Sequence, residues 1–157
     1  MAKYDDASWH YGGEYPKNLP PKNGATHIGM FLKWCIENNL HSEELEEDAR
    51  EEIEQLKEGK ITGAEFLINV CDEKLTDYDL NDLGNEFAQD YYEDDTDFDL
   101  KYNSYANDYS ELFDKQAKDN DFEYESFYHI EDNEKNYNLL TSVVSNRFET
   151  WNQYKDK

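Results

Sequence analysis

The chain is poor in positive charge. It carries 15 Lys and Arg against 38 Asp and Glu in 157 residues, a formal net charge of −23. Proteins hold phosphate backbones through clustered Lys and Arg, so a basic groove, and with it direct nucleic-acid binding, is excluded. Long apolar runs are missing as well, since no stretch approaches the roughly 18 apolar residues of a membrane helix. The opening residues Met1-Ala2-Lys3-Tyr4-Asp5-Asp6 lack the cationic flank and apolar stretch of a secretory signal. The expectation is a soluble, cytoplasmic protein with no membrane partner. Cysteine is scarce: Cys35 and Cys71 lie in separate apolar helical patterns and read as small buried hydrophobes, not as a disulfide or a metal pair.

Motifs for cofactor chemistry are missing too. There is no Gly-rich phosphate loop, GxSxG elbow, HxxxH or HExxH spacing, and His10, His27, His41 and His129 are scattered. Asp95-Thr96-Asp97-Phe98-Asp99 begins like a calcium loop, but Leu100 and Ala106 stand where that loop needs Gly and Glu, which excludes an EF-hand. No metal and no cofactor is expected.

What the chain does have is aromatic surface. A mean hydropathy of −1.11 with so much charge of one sign points to disorder. The 13 Tyr, 8 Phe and 3 Trp point the other way, because disordered chains are aromatic-poor. One folded domain over residues 1–157 fits a length at which a single core forms. All three prolines, Pro16, Pro20 and Pro21, fall early, with Gly12, Gly13 and Gly24 around them. Residues 1–24 are therefore expected to form a turn-rich N-terminal arm, pinned to a helical core by Trp9, Tyr11 and Tyr15.

Apolar periodicity predicts helices for the rest. Ala25–Asn39 is apolar nearly all round and reads as a central buried helix, capped by Asn23 or Thr26. Leu45, Ala49, Ile53 and Leu56 mark one amphipathic helix after Ser42. Thr62 and Glu65 form a capping box for a third. Leu80, Leu83, Phe87 and Tyr91 mark a fourth, and Tyr102, Tyr105, Tyr109, Leu112 and Phe113 a fifth. Tyr137, Leu140, Val144, Phe148 and Trp151 define a closing helix capped near Asp132 or Asn133. The expected fold is mainly α, a single-domain bundle of about six helices, with Phe122–Ile130 the one tempting strand.

Charge is unevenly spread. Residues 1–40 hold four acids and four bases, so the whole excess lies beyond Leu40. From Asp72 to Asp99 twelve acids face Lys74 alone. Asp82, Glu86 and Asp90 recur every four residues, where like charges cost a helix about 0.2–0.5 kcal/mol per pair. Asp77 and Asp79 precede this row, and Glu93, Asp94, Asp95, Asp97 and Asp99 extend it. Tyr91 and Tyr92, with Tyr78 and Phe98, are interleaved with the acids as anchors would be in an interface. These residues are the candidate contact surface for a basic protein partner.

Asp5, Asp6, Ser8 and His10 form a second polar cluster. It reads as a turn in which Asp and Ser satisfy backbone groups while Trp9 and Tyr11 enter the core. A catalytic pair would come into view if Asp5 and His10 faced one cavity; with no nucleophile evident, an enzyme is not expected.

The segments Tyr4-Asp5-Asp6-Ala7-Ser8-Trp9-His10-Tyr11-Gly12-Gly13, Pro16-Lys17-Asn18-Leu19-Pro20 and Gly24-Ala25-Thr26-His27-Ile28-Gly29-Met30-Phe31-Leu32-Lys33-Trp34 resemble a bacterial family of small acidic proteins with a YDDASWHYGG signature. A looser likeness runs through Gly84–Ala88, Asp90-Tyr91-Tyr92 and Tyr128–Asp132 to Trp151. The resemblance implies a cytosolic bacterial protein of a type that often serves as the immunity partner of a toxin. On that basis the expected function is binding and neutralising a cognate toxin domain. The alternative is a nucleic-acid mimic that blocks a DNA- or RNA-binding protein; it would bind several such proteins and weaken steeply with salt.

Overall fold

The computed structural model describes residues 3–13 and 15–156. Met1, Ala2 and Glu14 of the expected arm, and Lys157, lie outside them. A strand, β1 (Lys3–Asp6), runs directly into a short helix, α1 (Ala7–Tyr11), and a 3-10 turn (Pro21–Ala25) leads on to α2 (Thr26–Glu37). Next come α3 (Glu43–Asp48), α4 (Arg50–Lys57), α5 (Gly63–Val70) and a second strand, β2 (Lys74–Thr76). The chain ends with α6 (Asp82–Tyr91), α7 (Asp97–Lys101), α8 (Tyr105–Asp119) and α9 (Glu134–Lys155). The fold is a single, mainly α domain. Among the described residues no helix is long and apolar enough to cross a membrane.

Helix starts follow local chemistry. Asp6, Ser42, Thr62, Asn81, Thr96, Ser104 and Asn133 each accept a backbone N–H of the first helical turn on a side-chain oxygen, satisfying a donor the helix itself cannot. The capping box of Thr62 and Glu65 is present, with bonds of 3.2 and 3.0 Å. Neither Asn23 nor Thr26 caps α2, because the 3-10 turn feeds straight into it and its N-cap is Ala25. Asn23 instead donates to the Tyr128 carbonyl at 3.0 Å.

Several elements depart from the periodic reading: Leu80 and Tyr102, read into the fourth and fifth helices, precede α6 and α8, and α7 falls in no expected helix. The helix expected after Ser42 breaks at Ala49 (φ −132°, ψ 33°) into α3 and α4, and the bend lets Leu45, Ile53 and Leu56 all reach the core. Phe122–Ile130 is irregular apart from a 3-10 turn at Phe127–His129. The strands lie elsewhere: β1 pairs antiparallel with β2, Asp5 opposite Leu75 and Asp6 opposite Lys74. Neither has the alternation that would announce a strand; pairing with the other is what extends them.

The core is largely aromatic. Phe87 stacks on Tyr91 (ring centroids 5.0 Å, planes at 16°) and meets Phe148 edge-on at 5.0 Å, with Trp151 at 5.3 Å and Trp34 at 5.6 Å. Such contacts add about 0.5–1.5 kcal/mol per pair to simple area burial. Lys33, the one charge in the middle of α2, lies with its Nζ 4.3 Å from the Tyr137 ring centroid, which compensates an otherwise costly burial. Helices α2 and α5 cross with Gly29 and Gly63 in direct backbone contact.

Candidate functional site

The acidic segment divides into buried and free parts. Asp79 is 5 % exposed and accepts from the Thr76 N–H at 2.9 Å and its hydroxyl at 3.3 Å. Asp77, Asp90 and Asp99 are half-buried; Asp90 accepts from Trp151 Nε1, and Asp99 from the Asp95 N–H, both at 2.8 Å. Asp82, Glu86, Glu93, Asp94, Asp95 and Asp97 are exposed. Among the described residues one cation pairs with this stretch, Lys155, with its Nζ 3.6 Å from Glu86.

The expected aromatic anchors are elsewhere. Tyr91 and Tyr92 are buried, as is Phe98. Tyr91 follows Phe87 by one helical turn and so shares its inward face, donating to Asp108 at 2.7 Å. Tyr78 alone of the four reaches solvent, at 40 % exposure. It borders a groove of about 580 Å³ whose lining includes Glu43, Glu44, Asp77 and Asp82 and, among the described residues, no Lys or Arg.

Burial pushes the Asp79 carboxyl above its ordinary pKa, against the bonds from Thr76. The folded chain therefore holds that proton more tightly than the unfolded chain, and the Asp79 contribution to stability declines as pH rises from the ordinary value near 3.9 through the raised one. Asp79→Asn keeps an acceptor for Thr76 without the charge. Its melting temperature relative to wild type should be more favourable at pH 7 than at pH 4; a difference that does not change with pH would contradict this assignment.

The polar cluster near the N-terminus behaves differently from its sequence reading. Asp6 and Ser8 do close a turn, Asp6 Oδ1 accepting from the Ser8 N–H at 2.9 Å and its hydroxyl at 2.7 Å. Trp9, expected in the core, is 55 % exposed, while Tyr11 is half-buried and donates to Glu73 at 3.0 Å. Asp5 and His10 face one cavity. It holds about 490 Å³ and is bordered by Trp9, His27, Tyr92, Glu93, Asp94 and Tyr128 among others.

Asp5 is the hub of this cavity. Oδ1 accepts from the Asp6 N–H at 2.9 Å and lies 2.8 Å from His10 Nε2. Oδ2 accepts from the Tyr92 hydroxyl at 2.5 Å and lies 3.3 Å from His27 Nε2. His10 Nδ1 is 2.8 Å from the Tyr128 hydroxyl. Burial raises the Asp5 pKa, but His10 and His27 outweigh it and hold the carboxyl well below the usual range. Burial also lowers the pKa of His27, against the pull of Asp5, and pushes the Tyr92 phenol well up. The result is a buried carboxylate ringed by two imidazoles and a phenol.

Sequence spacing missed His27, Tyr92 and Tyr128 as members of this site. One signal was legible: His27 is a lone polar ring in the apolar run Ala25–Ile36, and a buried imidazole needs a partner.

A family described as a domain of unknown function, DUF7832, matches residues 3–136. The chain belongs to that family. The DUF7832 span contains Asp5, His10, His27, Tyr92 and Tyr128 as well as the acidic stretch from Asp77 to Asp99, and it ends at Asn136, near the start of α9. No curated protein and no solved structure matches the chain.

Proposed function

We propose that this protein is a bacterial, cytoplasmic immunity protein that docks a cognate toxin domain through its acidic face, with no enzymatic role in that task. The observation that carries the reading is the groove beside Tyr78, where Glu43, Glu44, Asp77 and Asp82 converge with no cation among the described lining residues. A Lys or Arg side chain of a basic partner fits such a recess, and Tyr78 offers the amphipathic contact that interface anchors use. The exposed carboxylates of Glu93, Asp94, Asp95 and Asp97 widen the negative field that steers encounter. Attraction of this kind lifts association rates to about 10⁸–10⁹ M⁻¹s⁻¹ at low salt.

A nucleic-acid mimic has less support. Its regular row of free charges is interrupted, because Lys155 meets Glu86 and Trp151 engages Asp90.

The test uses the product of the neighbouring reading frame. If that frame encodes a toxin domain, the full chain should protect cells from it. A variant with Glu44, Asp82 and Glu86 changed to Lys should associate at least about tenfold more slowly at low salt; Asp90 is left intact because it holds Trp151. An unchanged rate in stopped-flow mixing would remove this face from the proposal, and absence of protection would remove the function.

A further inference from the structure

We propose that Asp5, His10 and His27 form a binding site for a divalent transition-metal ion of the zinc class, with its open coordination position facing the cavity beside Trp9 and Tyr128. The inference is independent of toxin binding and goes beyond it.

The donor set comes first. Two imidazole Nε2 atoms and one carboxylate converge, their ligand atoms all within 4.8 Å of one another. Nitrogen donors of this kind suit zinc, iron, cobalt, nickel and copper, whereas magnesium and calcium prefer an all-oxygen shell. Spacing comes second. Zinc bonds of about 2.0–2.1 Å place neighbouring donors of a tetrahedral site roughly 3.3 Å apart. His27 Nε2 and Asp5 Oδ2 are separated by 3.3 Å, and His10 Nε2 and Asp5 Oδ1 by 2.8 Å, so an ion would take the place of the imidazole protons that face Asp5, each ring keeping its proton on Nδ1 and the closer pair opening slightly.

Outer partners are in place for His10 and Asp5. Metal-binding imidazoles characteristically engage their second nitrogen in a hydrogen bond that orients the ring, and His10 Nδ1 does so with Tyr128. Asp5 is held by the Tyr92 hydroxyl and the Asp6 N–H. The three donors sit on regular elements: Asp5 in β1, His10 in α1 and His27 in the first turn of the buried helix α2.

Charge and access agree with this. An ion of charge +2 on Asp5 alone leaves a net +1, and Glu93 and Asp94 at the cavity border are placed to compensate it. Three protein donors and a vacant position opening on a cavity are the pattern of zinc sites that bind an exchangeable ligand, in contrast to closed four-donor structural sites. The group taken at that position is an oxygen donor, either water or a small oxyanion or carbonyl ligand.

The test uses the full chain stripped of metal by a chelator and titrated with cobalt(II). The expected result is one cobalt per chain with visible ligand-field bands, displaced by an equimolar amount of zinc and unaffected by excess magnesium. His10→Ala should weaken binding by more than the roughly 10–100-fold expected for Tyr128→Phe, which removes an outer partner. His129→Ala should leave binding unchanged. Zinc-induced shifts of the histidine ring nitrogens, read by NMR in the wild-type chain, should single out His10 and His27, a readout that does not depend on any variant folding. No stoichiometric cobalt binding, binding retained in His10→Ala, or shifts confined to His41 and His129 would each overturn the proposal.

Discussion

Gly29→Ala is expected to cost about 3 kcal/mol, the upper part of the overpacking range, and to lower the melting temperature by roughly 6–12 °C for a domain of this size. The reason is backbone against backbone. A methyl group at Gly29 would overlap the Gly63 carbonyl carbon and the Ala64 nitrogen, and one at Gly63 would overlap the Gly29 carbonyl. Neither neighbour is the end of a flexible side chain that could swing aside, so α2 and α5 would have to separate. Because α2 also carries Phe31, Trp34 and His27, the disturbance reaches both the aromatic core and the cavity. Gly59 is the control: it has φ +79° and nothing within 4 Å of an added Cβ, so Gly59→Ala should cost only the left-handed backbone penalty of about 1–2 kcal/mol. Thermal melts of the two variants check the ordering, and equal losses would show that the helix crossing is not as close as described.

Asp108→Ala is expected to be comparably severe, about 2–4 kcal/mol, because a half-buried charge pair loses one partner and a buried hydroxyl loses its acceptor. Asp108 is buried in the first turn of α8 and accepts from Arg147 Nε at 2.8 Å and Nη2 at 3.1 Å. It also accepts from the Tyr91 hydroxyl and the Asn103 amide, each at 2.7 Å. Alanine would leave the fully buried Tyr91 hydroxyl without an acceptor and would cut the tie from α8 to α9. Chemical denaturation measures the loss. A value below about 1 kcal/mol, typical of an exposed ion pair, would mean that Arg147 and Tyr91 find other partners or solvent. Asp108→Asn should lose less, because the amide oxygen can still accept from Tyr91.

How much of this was legible before folding depends on the range of each interaction. The buried character of α2, the capping box of Thr62 and Glu65, and a cap for α9 at Asp132 or Asn133, of which the structure uses Asn133, follow from short stretches of sequence. Such signals are local and survive translation into structure. The break at Ala49 was not legible, since both halves keep the same apolar spacing and only the shape of the core decides where a bend is needed. Tyr91 and Tyr92 illustrate another limit. Interleaving with acids suggested a wet surface, yet a helix directs residues 87 and 91 to one face whatever lies between them, and β1 brings Asp5 to the Tyr92 hydroxyl.

The cluster around Asp5 was only partly visible. Asp5 and His10 stand five residues apart, and a shared cavity could be named from the sequence as the condition for a catalytic pair; that the cavity exists could not be read, and no metal was expected there. His10 meets Tyr128 across 118 positions and Asp5 meets Tyr92 across 87, separations over which no periodic pattern carries information.

The amino-acid sequence alone determined the mainly helical class, the single domain and the concentration of negative charge beyond Leu40, because helical periodicity and charge are properties of short windows and of composition. Tertiary structure alone decided which carboxylates remain free, which aromatics fill the core, and that Asp5, His10 and His27 meet. Those outcomes depend on chain segments far apart being brought together, and the driving force for that, burial of aromatic surface, is indifferent to the order in which the residues occur.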